Sequence, residues 1–97
     1  MRTIYKFEHN NNIYIGSTIN FKSRCWAHNQ HKKQERHKHL SLYQYCNSCD
    51  IKDVRDHMTI ILEFNDDQIN KTDMRKLEQD YIGLYEANLN SIRAIKI

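Results

Sequence analysis

Proline is absent, and glycine occurs only at Gly16 and Gly83. With no proline-rich spacer, no Gly/Ser linker and no internal repeat, nothing divides the chain, and residues 1–97 read as one domain with a single modest core. No apolar run approaches the roughly 20 residues of a membrane span. The first residues have no apolar stretch of the secretory kind. Cysteine is scarce and odd in number, at Cys25, Cys46 and Cys49. An odd count without a secretory signal argues against a disulfide framework and for free thiols in a reducing, intracellular compartment. Acids are few in the first half. Residues 1–46 hold eight Lys/Arg against Glu8 and Glu35, whereas the remainder holds seven against ten acids. Five of the six histidines also lie in the first half, and the segment 29–39 is a polar, basic loop. This asymmetry suits a polyanionic partner; on charge alone, a solvated basic face accounts for it equally well.

What is present begins with a hairpin. Thr3–Phe7 and Asn12–Ile15 are rich in β-branched and aromatic residues, and His9-Asn10-Asn11 between them tolerates positive φ. In a loop of two or four residues, cross-strand partners have numbers adding to an odd total. Tyr5 and Tyr14 therefore share one face, opposite or diagonal to each other. Two hydroxyls at one site is one reading; ordinary strand aromatics packing a sheet is the other.

A helix follows. Asn20 is a good N-cap before Phe21. At about 100° per residue, Phe21, Arg24, Cys25 and His28 fall on one face. Arg24 and His28 are then neighbours beside an aromatic, and a charge among apolar groups needs a partner. A phosphate would serve both; alternatively, Arg24 snorkels to water from the edge of the face.

Further along, Leu40–Cys46 reads as a second helix with Leu42, Tyr43 and Cys46 as core contacts. Cys46-Asn47-Ser48-Cys49 has C-x-x-C spacing but no second pair, and His37, His39 and His57 are the nearby histidines. His57–Phe64 reads as a central strand buried on both faces, closed by Asn65-Asp66-Asp67. The last helix is expected near Thr72, with Thr72-Asp73 as cap and first turn, or from Asp67. Its apolar residues Met74, Leu77, Tyr81, Ile82 and Tyr85 span an arc of about 140°, and Glu78 falls inside it. Unpaired burial of a carboxylate costs several kcal/mol, so Glu78 must pair, protonate or bind a cation. An ion pair with Arg24 or Lys76 and a metal site are the two readings.

Tyr5, Tyr14-Ile15-Gly16, Arg24, His28 and Glu78 together resemble the GIY-YIG nuclease family, over nearly the whole chain. That signature has two short strand motifs, an arginine and often a histidine on the next helix, and a glutamate on a later one. Thr3-Ile4-Tyr5 stands where the first tripeptide belongs, with Thr3 in place of its glycine. The resemblance implies a small α+β domain, β-β-α-α-β-α, with a mainly antiparallel three-stranded sheet flanked by three helices. It implies a DNA endonuclease in which Glu78 holds one Mg²⁺ or Mn²⁺ ion. Arg24 then stabilises a phosphate oxygen. Tyr5 or Tyr14 orients or deprotonates the attacking water, and a pKa near 10 demands a nearby cation for that work. His28 relays the proton or touches a phosphate, with His37 a second candidate. Asn90 resembles the asparagine near the family's C-terminus, with Asn88 a competing assignment. Lys22, Lys32, Lys33, His37 and Asn90 are the expected DNA contacts, on duplex or branched substrate. Two rival functions are a non-catalytic nucleic-acid-binding module of the same fold and a small zinc-stabilised interaction domain using Cys46 and Cys49.

Overall fold

The computed structural model describes residues 1–37 and 40–90; Lys38 and His39 of the basic segment lie outside the described residues. Strands β1 (Arg2–His9) and β2 (Asn12–Thr18) form the hairpin. Asn10 and Asn11 both have positive φ, 49° and 67°, the two-residue turn whose twist matches the strands it joins. Then come α1 (Phe21–His31), a 3₁₀ turn at Glu35–His37 and α2 (Ser41–Ser48). A second 3₁₀ turn at Val54–His57 leads into β3 (Met58–Phe64), and α3 (Lys71–Leu84) follows. The sheet is antiparallel with order β2-β1-β3. The α+β class and element order are those expected.

Local chemistry sets the boundaries. Asn20 Oδ1 accepts the Ser23 amide at 3.1 Å and starts α1. Asn70 Oδ1 accepts the Asp73 amide at 2.8 Å and starts α3. Asn70 therefore displaces Thr72 as the cap, because a carboxamide in extended backbone takes the orphan amide three residues on. Residues 66–69 form a turn and no early helix. α2 runs past Cys46 to Ser48, with Ser48 Oγ donating to the Tyr45 carbonyl. α1 holds three residues expected in the loop, Asn29, Gln30 and His31.

β3 departs most from expectation. It is an edge strand, and β1 takes the centre. Thr59, Ile60 and Glu63 are exposed. β1 is the strand buried on both faces, packing one core of Phe7, Leu42, Tyr43, Cys46, Ile51 and Val54, and another of Ile4, Ile15, Met74 and Ala87. Two helices thus cover one face and α3 the other, as an amphipathic three-stranded sheet requires.

The outer edge of β2 is sealed by side chains. Asn88 Oδ1 accepts from Ile13 N at 2.9 Å, and Leu89 N donates to Ile13 O at 2.9 Å. Asn90 Oδ1 accepts from Ile15 N at 2.8 Å while its Nδ2 donates to Ile15 O at 2.7 Å. Two asparagines thereby stand in for a fourth strand and satisfy backbone groups an edge would leave open.

Candidate active site

The hairpin register pairs Tyr5 with Gly16 and Phe7 with Tyr14. Tyr5 and Tyr14 are therefore diagonal neighbours on one face, with ring centroids 6.3 Å apart. Gly16 is needed for close approach. A Cβ there would meet the Tyr5 hydroxyl oxygen at 2.4 Å, so only glycine lets that ring lie across β2. Beside Tyr5 the pairing of β1 with β3 shifts register between Ile4 and Tyr5. Such irregularities re-aim a side chain.

α1 lays Phe21, Arg24 and His28 over this face. Phe21 packs edge-on to Tyr5 at 5.6 Å. His28 is 1% exposed and locked between two phenols, with Nε2 2.7 Å from Tyr5 OH and Nδ1 2.7 Å from Tyr43 OH. Burial, with the nearby Arg24 and His31 charges, lowers its pKa to about 3, so it is neutral. A neutral imidazole has one donor and one acceptor nitrogen, so one phenol donates to it and the other accepts. This corrects the expectation of a phosphate contact: the ring is buried and both nitrogens are taken. The lowered pKa keeps the ring neutral at neutral pH, and its two nitrogens tie Tyr5 to Tyr43.

The Arg24 guanidinium stands beside both strand phenols. Its Nε is buried with no hydrogen-bond partner among the described residues. Among the described residues it has no carboxylate partner, the ion pairs lying elsewhere, such as Lys6–Glu8 and Arg55–Asp53. Burial raises the pKa of Tyr5 well above its usual value and that of Tyr14 to a lesser degree. The Arg24 charge opposes the rise in both and does not overcome it. Both phenols are protonated at neutral pH.

Glu78 arrives from the other layer. By the register, Ser17 faces α3 while Tyr14 and Gly16 face α1, and Ser17 Oγ donates to Glu78 Oε1 at 2.6 Å. The half-buried carboxylate therefore lies against β2 from the side opposite the tyrosines, close enough for its charge to raise the Tyr14 pKa. Among the described residues neither Arg24 nor Lys76 forms an ion pair with it. A carboxylate partnered by a hydroxyl offers hard oxygen donors. One such ligand, with water and phosphate oxygens, suits Mg²⁺, which keeps several waters and takes few protein ligands; the donor set fits the expected ion.

Several expected DNA contacts lie elsewhere. Lys32 is 5% exposed, and its Nζ donates to the Lys52 carbonyl at 3.2 Å; it ties the end of α1 to the chain before β3 and is closed to DNA. Asn90 is likewise buried and spends its amide on Ile15. It holds β2 in place and is not a surface contact. His37 is half-buried and stacks on His31 at 4.4 Å. Lys22 and Lys33 are exposed. Cys46 sits in the core, where burial pushes its thiol up to about 11. It is poorly poised as a thiolate ligand. Cys49 is exposed.

Sequence reasoning missed Ser17 and Tyr43. The parity that joined Tyr5 to Tyr14 also assigns Ser17 to the α3 face, so its signal was present. Tyr43 was read as a core contact; its hydroxyl needs a buried partner, and His28 is that partner. Among the described residues no helix is long and apolar enough to cross a membrane.

A family model described as the GIY-YIG catalytic domain matches residues 2–91. No curated protein and no solved structure matches the chain.

Proposed function

We propose, for a chain that belongs to the GIY-YIG nuclease family, hydrolysis of DNA phosphodiester bonds assisted by a divalent cation at Glu78. One observation carries the reading. Among the described residues Arg24 is a part-buried cation with no ion-pair partner and Glu78 a half-buried anion with none, and both address the same strand, β2. Buried charges are costly unless paired. A phosphodiester bringing a metal ion satisfies both at once.

Each side chain then has defined work. Arg24 holds a non-bridging phosphate oxygen with charge-assisted hydrogen bonds, which strengthen as charge develops there. Tyr14, as a neutral phenol, orients the water or the phosphate by hydrogen bonding, while the fully buried Tyr5 supports the site from beneath; neither is a free phenolate base at pH 7. His28 fixes the Tyr5 hydroxyl, and Tyr43 fixes His28. Ser17 holds the Glu78 carboxylate in place. Bound at Glu78, Mg²⁺ or Mn²⁺ supplies positive charge to the phosphoryl and leaving oxygens.

The test uses supercoiled plasmid and branched DNA, with Mg²⁺ and with EDTA, on wild type, Arg24→Ala and Glu78→Gln. Wild type should cut only with the metal, and both variants should lose at least about a hundredfold in rate, as removal of one charge-stabilising group does. Glu78→Gln should still bind DNA. Its melting temperature in EDTA should hold or rise, because an uncompensated charge has gone. A destabilised but active Glu78→Gln variant would sink the assignment.

A further inference from the structure

The site described so far leaves three cations unexplained. A groove of about 260 Å³ opens beside Glu78, lined by Arg2, Ser17, Lys71, Met74 and Arg75 among others. Arg2 enters from β1, and Lys71 and Arg75 stand one turn apart on α3. Among the described residues none of the three forms an ion pair with an acid, although Glu78 shares the groove. The Arg2 Nε is buried without a hydrogen-bond partner among the described residues. Lys71 is the first residue of α3, where the helix dipole disfavours a cation. Three positive groups lining one groove repel one another, and an anion between them would relieve that repulsion.

The kind of anion follows from shape. Small-molecule sites usually enclose about 300–1,000 Å³ with mostly apolar walls. This groove is smaller and rimmed by charge, and it runs to the carboxylate held by Ser17. That form suits a charged group on a strand passing through better than an enclosed ligand. We propose that Arg2, Lys71 and Arg75 form a second phosphate subsite, which grips the nucleic-acid backbone at a phosphate neighbouring the one at Glu78. The proposal rests on the nuclease reading and extends it: the strand crosses the β2 edge, held by Arg24 on one face of the sheet and by this groove on the other.

The experiment measures binding, not cleavage, so that Arg75 cannot act merely by perturbing Glu78. The full chain carrying Glu78→Gln is titrated with a labelled duplex oligonucleotide in EDTA across a salt series. Arg2→Gln with Arg75→Gln should lower affinity about tenfold near 0.1 M salt, and the dependence of log K on log salt should flatten by roughly two, close to one for each lost phosphate contact. Arg75→Gln alone, on an exposed helix surface, should give about half the flattening with an unchanged melting temperature. Affinity and slope equal to the parent's would overturn the subsite. Wild-type cleavage in Mg²⁺ separates the two readings. Cleavage with an unaffected double variant removes the subsite and keeps the nuclease; weakened binding without any wild-type cleavage does the reverse. If the parent binds no DNA, both fall.

Discussion

Gly16 shows how one atom decides a site. The Tyr5 ring cannot swing away from an added methyl, because its hydroxyl is held by His28 and its body is fully buried. Gly16→Ala should therefore cost about 1–3 kcal/mol, the scale of overpacking, and should displace the Tyr5 hydroxyl. Thermal melting and plasmid cleavage on the same preparation check this; an active variant of unchanged stability would show that the ring has room. The phenols differ in their roles. Tyr5 is tied into the core through His28, so Tyr5→Phe should lose stability as well as rate. Tyr14 has no such tie to the imidazole and should lose chiefly rate as phenylalanine. His28 gives a pH signature. Its folded pKa of about 3 lies below the unfolded value of 6.5, so the unfolded state binds more protons between these limits. Stability from this group is then complete above about pH 6.5 and declines as pH falls toward 3, by roughly 4–5 kcal/mol at most. Urea melts from pH 7 to pH 4 should show the decline, and His28→Gln should flatten it. The parity of the hairpin made Tyr5 and Tyr14 legible from sequence. Burial of His28 between two hydroxyls was not, because Tyr43 reaches it from an element fifteen residues away.

At the scale of elements, the edge of β2 is the part most exposed to failure. Ile15 N and O both depend on the Asn90 amide. Asn90→Ala should leave two buried backbone groups unpaired and cost about 2–4 kcal/mol. Asn90→Asp should also destabilise, since a carboxylate oxygen would face the Ile15 carbonyl where a donor stood. Hydrogen exchange at the Ile15 amide is the direct readout, and retained protection in Asn90→Ala would refute the clamp. The helix starts at Asn20 and the turn at Asn10-Asn11 were readable, because capping and turn chemistry act over three or four residues. The place of β3 was not. Ile60-Ile61-Leu62 has the composition of a central strand, but strand order is fixed by pairings between distant segments, and Ile60 ends 40% exposed on an edge.

Across the whole molecule, the basic character of the first half is only partly available to a partner. Lys32 and Lys33 are adjacent in sequence and opposite in fate. One caps the architecture at the end of α1 and the other faces solvent. Lys33→Gln should flatten the salt dependence of DNA binding by about one and leave the fold alone. Lys32→Gln should lower the melting temperature and leave the slope unchanged. Equal slopes in both variants would place the DNA path away from this end of the domain. Charge counting could not separate the two lysines; it sees composition, and burial is decided by where α1 stops.

Glu78 and the tyrosines meet across β2 from opposite layers, and Ser17 and Glu78 are 61 residues apart. This ordering has a bearing on synthesis. A chain emerging from the ribosome displays both strand tyrosines and Arg24 long before the carboxylate exists. Even a finished hairpin with α1 and α2 packed upon it lacks the group proposed to hold the ion. On the proposed reading, chemistry that needs both layers begins only when α3 docks, and the half-made polypeptide would cut none of the nucleic acid around it.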